Sequence, residues 1–143
     1  MMHVLTVATQ GPACHDITAE LADWLRSGGA VRGVLTLIVQ HTSASLLIQE
    51  NADPEVQADL LAWLDRLAPP ADDPSMGWIT HRYEGPDDMP AHLKAAVLPT
   101  TLQIPVDRGR MMLGRWQGIY LVEHRRAPHR RQVCLLYTSP SPR

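Results

Sequence analysis

Val31-Arg32-Gly33-Val34-Leu35-Thr36-Leu37-Ile38-Val39-Gln40-His41-Thr42-Ser43-Ala44-Ser45-Leu46-Leu47-Ile48 is the stretch on which the fold turns. Residues 31–41 are rich in β-branched side chains, and residues 44–48 resume as an apolar run. Together they read as two strands, with the polar His41-Thr42-Ser43 at or near their junction. Upstream, residues 3–9 alternate around Val4, Leu5 and Val7 and predict a strand that Gly11-Pro12 ends. Asp16 is a candidate N-cap for a helix through Ser27, closed by Gly28-Gly29, with Ile17, Leu21, Trp24 and Leu25 on its buried stripe. Downstream, Asp53 is an N-cap and Pro54 a first helical residue, with Val56, Leu60, Leu64 and Leu67 facing the core. A short strand over residues 78–81, a helix over 91–98 and strands over 101–106 and 111–124 complete the reading. Gly114 and Gly118 inside the last of these point to bulges or close backbone approach. The tally is about seven strands and three helices, with strands adjacent in pairs. That pattern predicts an α+β domain with antiparallel sheets and helices packed outside, not a doubly wound parallel sheet.

The 143 residues fit one domain, and a hydrophobic fraction of 45% is that of a globular chain. A formal charge of -2 gives no reason to expect nucleic acid. The apolar runs are too short to span a bilayer, and the N-terminus has no basic start followed by an apolar stretch. A cytoplasmic location is the default expectation. Cys14 and Cys134 have neither the spacing of a thiolate zinc site nor a disulfide framework.

Residues 134–143, Cys134-Leu135-Leu136-Tyr137-Thr138-Ser139-Pro140-Ser141-Pro142-Arg143, resemble one reading frame of a transposase adapter used in sequencing libraries. On that reading the domain is residues 1–133 and the last ten residues are a non-native tail. Pro140 and Pro142 also prevent a strand from continuing inside a sheet.

Polar clusters mark the ends of the apolar runs. His81 and His92 are eleven residues apart, across a loop that holds Glu84, Asp87 and Asp88. A loop that folds back brings both imidazoles to one point. A catalytic zinc or similar ion takes three nitrogen or oxygen ligands and keeps one position open. His41 is the natural third ligand, and Glu84 can replace one of the three. The other reading is that these histidines cap turns or bond neighbouring carboxylates. Without a metal, His41 with Asp87 or Glu84 forms an acid–base set. A Ser43–histidine nucleophile pair ranks last, for want of a Gly-x-Ser-x-Gly turn. Asp87-Asp88 reads as a cation-binding pair, or equally, for Asp88, as the cap of the helix near Pro90. Arg125, Arg126, Arg130 and Arg131 gather near His124 and His129, as a phosphate contact or a solvated turn. Strand alternation puts Trp116, Gly118, Tyr120, Val122 and His124 on one face and Gln117, Ile119, Leu121 and Glu123 on the other.

The segments His41-Thr42-Ser43-Ala44-Ser45, Glu50-Asn51 with Asp53-Pro54, and His81 through Glu84-Gly85 and Asp87-Asp88-Met89-Pro90 to His92 recur in one order. Gly109-Arg110, Gly114, Trp116-Gln117-Gly118-Ile119 and Glu123-His124-Arg125 complete the set. By these the chain resembles the YjbQ family, also described as the secondary thiamine-phosphate synthase family, nearly throughout to Val133. The resemblance implies an α+β protein with a sandwich-like β core, a homotrimer, and a site near His41, His81 and His92 with a suspected divalent metal (zinc, manganese or magnesium). It implies a weak thiamine-phosphate synthase activity, joining a pyrimidine diphosphate to a thiazole phosphate. Ser43, Lys94, Arg115 and Arg125 are then candidate contacts to a phosphorylated substrate, and His41, Glu84 and Asp87 candidate catalytic groups. Two other functions stay open: a metal-dependent hydrolase or lyase of another small substrate, and a non-catalytic metabolite-binding trimer.

Overall fold

Gly33–Val39 folds as a strand because its alternation matches a pleat with one buried face: Leu35, Leu37 and Val39 point inward, Val34 and Ile38 outward. The computed structural model describes residues 1–140. In chain order its elements are β1 (Met2–Gln10), β2 (Ala13–Asp16), α1 (Thr18–Ser27), β3 (Gly33–Val39), β4 (Ala44–Glu50), α2 (Pro54–Leu67), α3 (Asp88–Val97), β5 (Thr101–Asp107), β6 (Arg110–Met111), β7 (Gln117–Glu123) and β8 (Pro128–Thr138). A short 3-10 turn, Pro74–Met76, lies between α2 and α3. The strands form two antiparallel sheets, in the orders β1-β8-β3-β5-β6 and β2-β7-β4. The fold is thus α+β, with three α-helices around a two-sheet core, as expected.

The core lies between the sheets. Leu35, Leu37 and Leu135 come from the larger sheet, Ala44, Leu46, Ile119 and Leu121 from the smaller. α1 closes one side with Ile17, Leu21 and Leu25. Each fully buried leucine contributes about 1.5–3 kcal/mol relative to exposure. α2 covers the other face of the smaller sheet, setting Leu64 against Tyr120 and Val122. The Asp53 carboxylate caps α2 by accepting from the Glu55 N–H, and Pro54 stands at its first position, as read. Leu67, however, is exposed.

Four features differ from the sequence reading. β3 and β4 are separated by residues 40–43 only, yet lie in different sheets, so His41-Thr42-Ser43 is a crossing from one layer to the other. The strand expected over 111–124 is broken. The Gln117 side chain accepts from the Gly114 N–H and the Gln117 N–H bonds back to the Gly114 carbonyl, making a turn that moves the chain to the second sheet. Residues 78–81 are not a strand; Ile79 packs instead with Ala71 and Met76. α3 begins at Asp88, earlier than the expected residue 91. Residues 134–138 continue β8, with Leu135 and Tyr137 turned inward, and positions 141–143 lie outside the described residues. No helix among the described residues is long and apolar enough to cross a membrane.

Candidate metal centre

Three groups of one loop and helix meet at Asp88. Because α3 starts there, Asp88 and His92 stand four residues apart on one helical face. The Asp88 Oδ2 atom lies 2.9 Å from His81 Nε2 and 3.2 Å from His92 Nε2. Glu84 joins them: one potential ligand atom from each of His81, Glu84, Asp88 and His92 falls within 4.8 Å of the others. The imidazoles open to solvent, with side chains 43% and 30% exposed, whereas Asp88 is 3% exposed. The segment that delivers His81 has neither helix nor strand, but Arg82 fixes it. Its guanidinium donates to the backbone carbonyls of Ile79, Ala71 and Met76 at 3.2, 3.1 and 3.0 Å.

A further layer orients these groups. His92 Nδ1 stands 2.9 Å from the Thr42 carbonyl. A carbonyl only accepts, so Nδ1 carries a proton and donates it, and the other ring nitrogen, Nε2, is directed at Asp88. That is the arrangement by which metal-binding histidines are held. Arg125 divides its donors among Asp87 Oδ2 (3.0 Å), Asp88 Oδ1 (2.7 Å) and the Glu84 carbonyl (3.1 Å). Burial pushes the Asp88 carboxyl up, but His81, His92, Glu84 and Arg125 outweigh it and hold it below the usual range. Asp87 is held low in the same way, its burial outweighed by the Arg126 N–H and Arg125.

The remaining sequence candidates are placed as follows. His41 is not in the cluster: its Nε2 accepts from the Gln132 N–H at 2.8 Å, and burial and Arg131 depress its pKa. Asp88 occupies the place given to His41. Ser43 is buried, its Oγ accepting from Arg131. Arg115 stacks on the Trp116 ring at 4.7 Å and gives no atom to the cluster. Arg125 spends its donors on carboxylates and a carbonyl, and Asp87 is doubly bonded by Arg125 and the Arg126 N–H. Lys94 pairs with Asp65 and lines a cavity of about 80 Å³ that also touches Asp87, His124 and Arg126.

Behind the cluster lies a buried polar network that the sequence reading missed. Glu123, fully buried, accepts from Thr9, from Arg131 and from the backbone N–H groups of His124 and Arg125. Arg131 also donates to the Ser43 carbonyl. His124 Nε2 meets Ser45 Oγ at 2.8 Å. Burial, with Lys94 and Arg131 nearby, pushes His124 down to about 4 against the pull of Glu123. Stability follows with a definite sign. The unfolded histidine takes up its proton near pH 6.5, and the folded one resists until about pH 4. This contribution is intact above pH 6.5 and is lost as pH falls toward 4, amounting to about 3 kcal/mol. Urea denaturation across this window should show that loss, and His124→Asn should flatten it.

A profile of the family described as "UPF0047 protein YjbQ-like" matches residues 3–139. The UPF0047 protein sll1880 of Synechocystis is 44% identical over 132 residues, covering 92% of this chain and 87% of that one. The UPF0047 protein YjbQ of Escherichia coli O157:H7 is 43% identical over 122 residues, covering 85% of each. Among solved structures, a hypothetical protein of Aeropyrum pernix K1 superposes with a TM-score of 0.86 at 30% identity, covering 98% of this chain and 99% of that one. An uncharacterised yjbq/upf0047 family protein of Clostridium acetobutylicum gives 0.81 at 30% identity, with 96% and 99% covered.

Proposed function

The chain belongs to the YjbQ-like UPF0047 family, and on that footing we propose that it is a divalent-metal enzyme acting on a small phosphorylated substrate. The observation that carries this is the convergence of His81, Glu84, Asp88 and His92 with His92 already oriented by the Thr42 carbonyl. Two imidazoles with carboxylates suit zinc or manganese better than magnesium, which prefers an all-oxygen shell. Half-open imidazoles leave room for a substrate, as a catalytic site requires. When bound, the ion supplies positive charge against a phosphate or diphosphate oxygen.

The chain's own groups do the rest. Arg125, with His81 and His92, favours the ionised form of Asp88 and aims it at the histidines. Lys94 and Arg126, on the cavity wall beyond Asp87, offer cationic contacts to a phosphate. The specific reading is thiamine-phosphate synthase-like transfer. The bond to diphosphate breaks as the bond to the thiazole phosphate forms, so negative charge builds on the leaving diphosphate. A hydrolase or lyase of another phosphorylated metabolite uses the same groups. A cytoplasmic homotrimer belongs to the same proposal, and the outward face of the larger sheet, with Val4, Val34, Ile38 and Leu136 part-exposed, is available to further copies.

The test is elemental analysis of protein purified without chelator or nickel resin. About one divalent ion per chain is expected. It should be absent from His81→Ala and His92→Ala proteins that keep the wild-type circular dichroism spectrum. The loaded protein is then assayed with pyrimidine diphosphate and thiazole phosphate, and with a panel of phosphate esters. Absence of any ion would move the weight to histidine acid–base chemistry or to a binding module.

A further inference from the structure

A second cleft lies away from the metal cluster, between α1 and the β5–β6 hairpin. Its volume is about 520 Å³, within the range of small-molecule sites. One wall is the α1 stripe Thr18, Ala22 and Arg26, spaced four residues apart, where the small Ala22 leaves the floor open. The facing wall is Arg108-Gly109-Arg110 with Met111 and Leu113. Three arginines line the cleft and no carboxylate does, on a chain whose formal charge is -2. Arg26 is paired with Asp23. Arg108 and Arg110 have no carboxylate partner among the described residues.

The backbone gives an independent sign. Arg108 sits at φ 52° and Gly109 at φ 75°, the left-handed pair of a tight hairpin turn. Asparagine, aspartate or glycine adopts the first of these positions readily, and arginine adopts it at a cost. Backbone held in such a region is a pointer to a role for the side chain it carries. The turn is also anchored, because the Gly109 N–H donates to the Val31 carbonyl at 2.9 Å. The two arginines thus line the cleft from an anchored turn, beside the apolar Ala22, Met111 and Leu113.

We propose that this cleft binds an organic phosphate, with Arg108 and Arg110 holding the phosphate and Ala22, Met111 and Leu113 contacting its apolar body. Guanidinium groups match phosphate oxygens in pairs, and the floor favours an ester over the bare ion. This site is separate from the metal cluster and does not depend on the activity proposed there.

The experiment is calorimetric titration of the full chain, in a chelator that keeps divalent ions from the metal cluster, with inorganic pyrophosphate and with adenosine 5′-monophosphate as probes. Both should bind the wild type once per chain and weaken with added salt. Arg108→Gly and Arg110→Ala should each weaken both probes about tenfold. Arg108→Gly should do so while keeping or raising thermal stability, since it removes the left-handed cost, and a merely structural arginine would not separate the two readouts. Ala22→Phe, which fills the floor, should weaken the nucleotide more than pyrophosphate. Absence of binding to the wild type, or wild-type affinity in both arginine variants, would each overturn the proposal.

Discussion

Asp88→Asn is expected to weaken divalent-ion binding by about 100-fold or more, because it alters an atom of the proposed donor set and not only its support. Asp88 is the group that both imidazoles face, and its other oxygen is held by Arg125. An asparagine keeps the volume but offers one acceptor where two are used. Either Arg125 or the histidine pair then meets an amide N–H. The fold should survive, since Arg125 retains Asp87 and the Glu84 carbonyl. Zinc titration alongside thermal denaturation separates the two effects. Unchanged affinity would place the ion elsewhere.

Glu123→Ala should cost about 3–5 kcal/mol, the range for removing one partner of a buried ion pair. Glu123 is 0% and Arg131 2% exposed, so the stranded guanidinium cannot reach water and keeps only Ser43 as an acceptor. Against a typical total of about 5–15 kcal/mol, such a loss takes much of the stability. The double change Glu123→Leu with Arg131→Met should recover a large part of it, because it removes both charges at similar volume. Urea denaturation of the three proteins checks this, and a single variant within about 1 kcal/mol of wild type would contradict it. The damage should reach the metal cluster too, because Glu123 holds the backbone N–H of Arg125, whose side chain grips Asp87 and Asp88.

Much of the architecture was readable where the signal is local. The Asp53-Pro54 helix start, the alternation of Leu35, Leu37 and Val39, and the opposite faces of Tyr120 and Leu121 follow from spacing alone. Sheet membership does not: nothing in residues 40–43 says that the chain crosses between layers there. The same gap misplaced His41, whose ring is claimed by the Gln132 N–H, ninety-one positions away. His81, Glu84 and His92 were legible as a polar group across one loop. Asp88 is half-legible: the sequence leaves it between a cation-binding pair and a helix cap, because no local signal puts the helix start at Asp88, from which its spacing to His92 shows one helical face. Arg125 resembles a phosphate contact in the sequence because a basic run does not reveal that carboxylates from another loop already occupy it.

Arg82 makes the order of the centre independent of an ion. By tying three carbonyls on the segment before it, the guanidinium orders the chain that carries His81 with no help from an ion. Asp88 and His92 are ordered by their helix. The donors thus stand assembled in advance, and loading incurs little of the ordering cost that couples uptake to folding in small zinc modules. Stripping the ion is expected to leave the protein folded, with the empty site able to take up another. Which element occupies the site would then be decided on the finished, folded protein and not while the chain is folding.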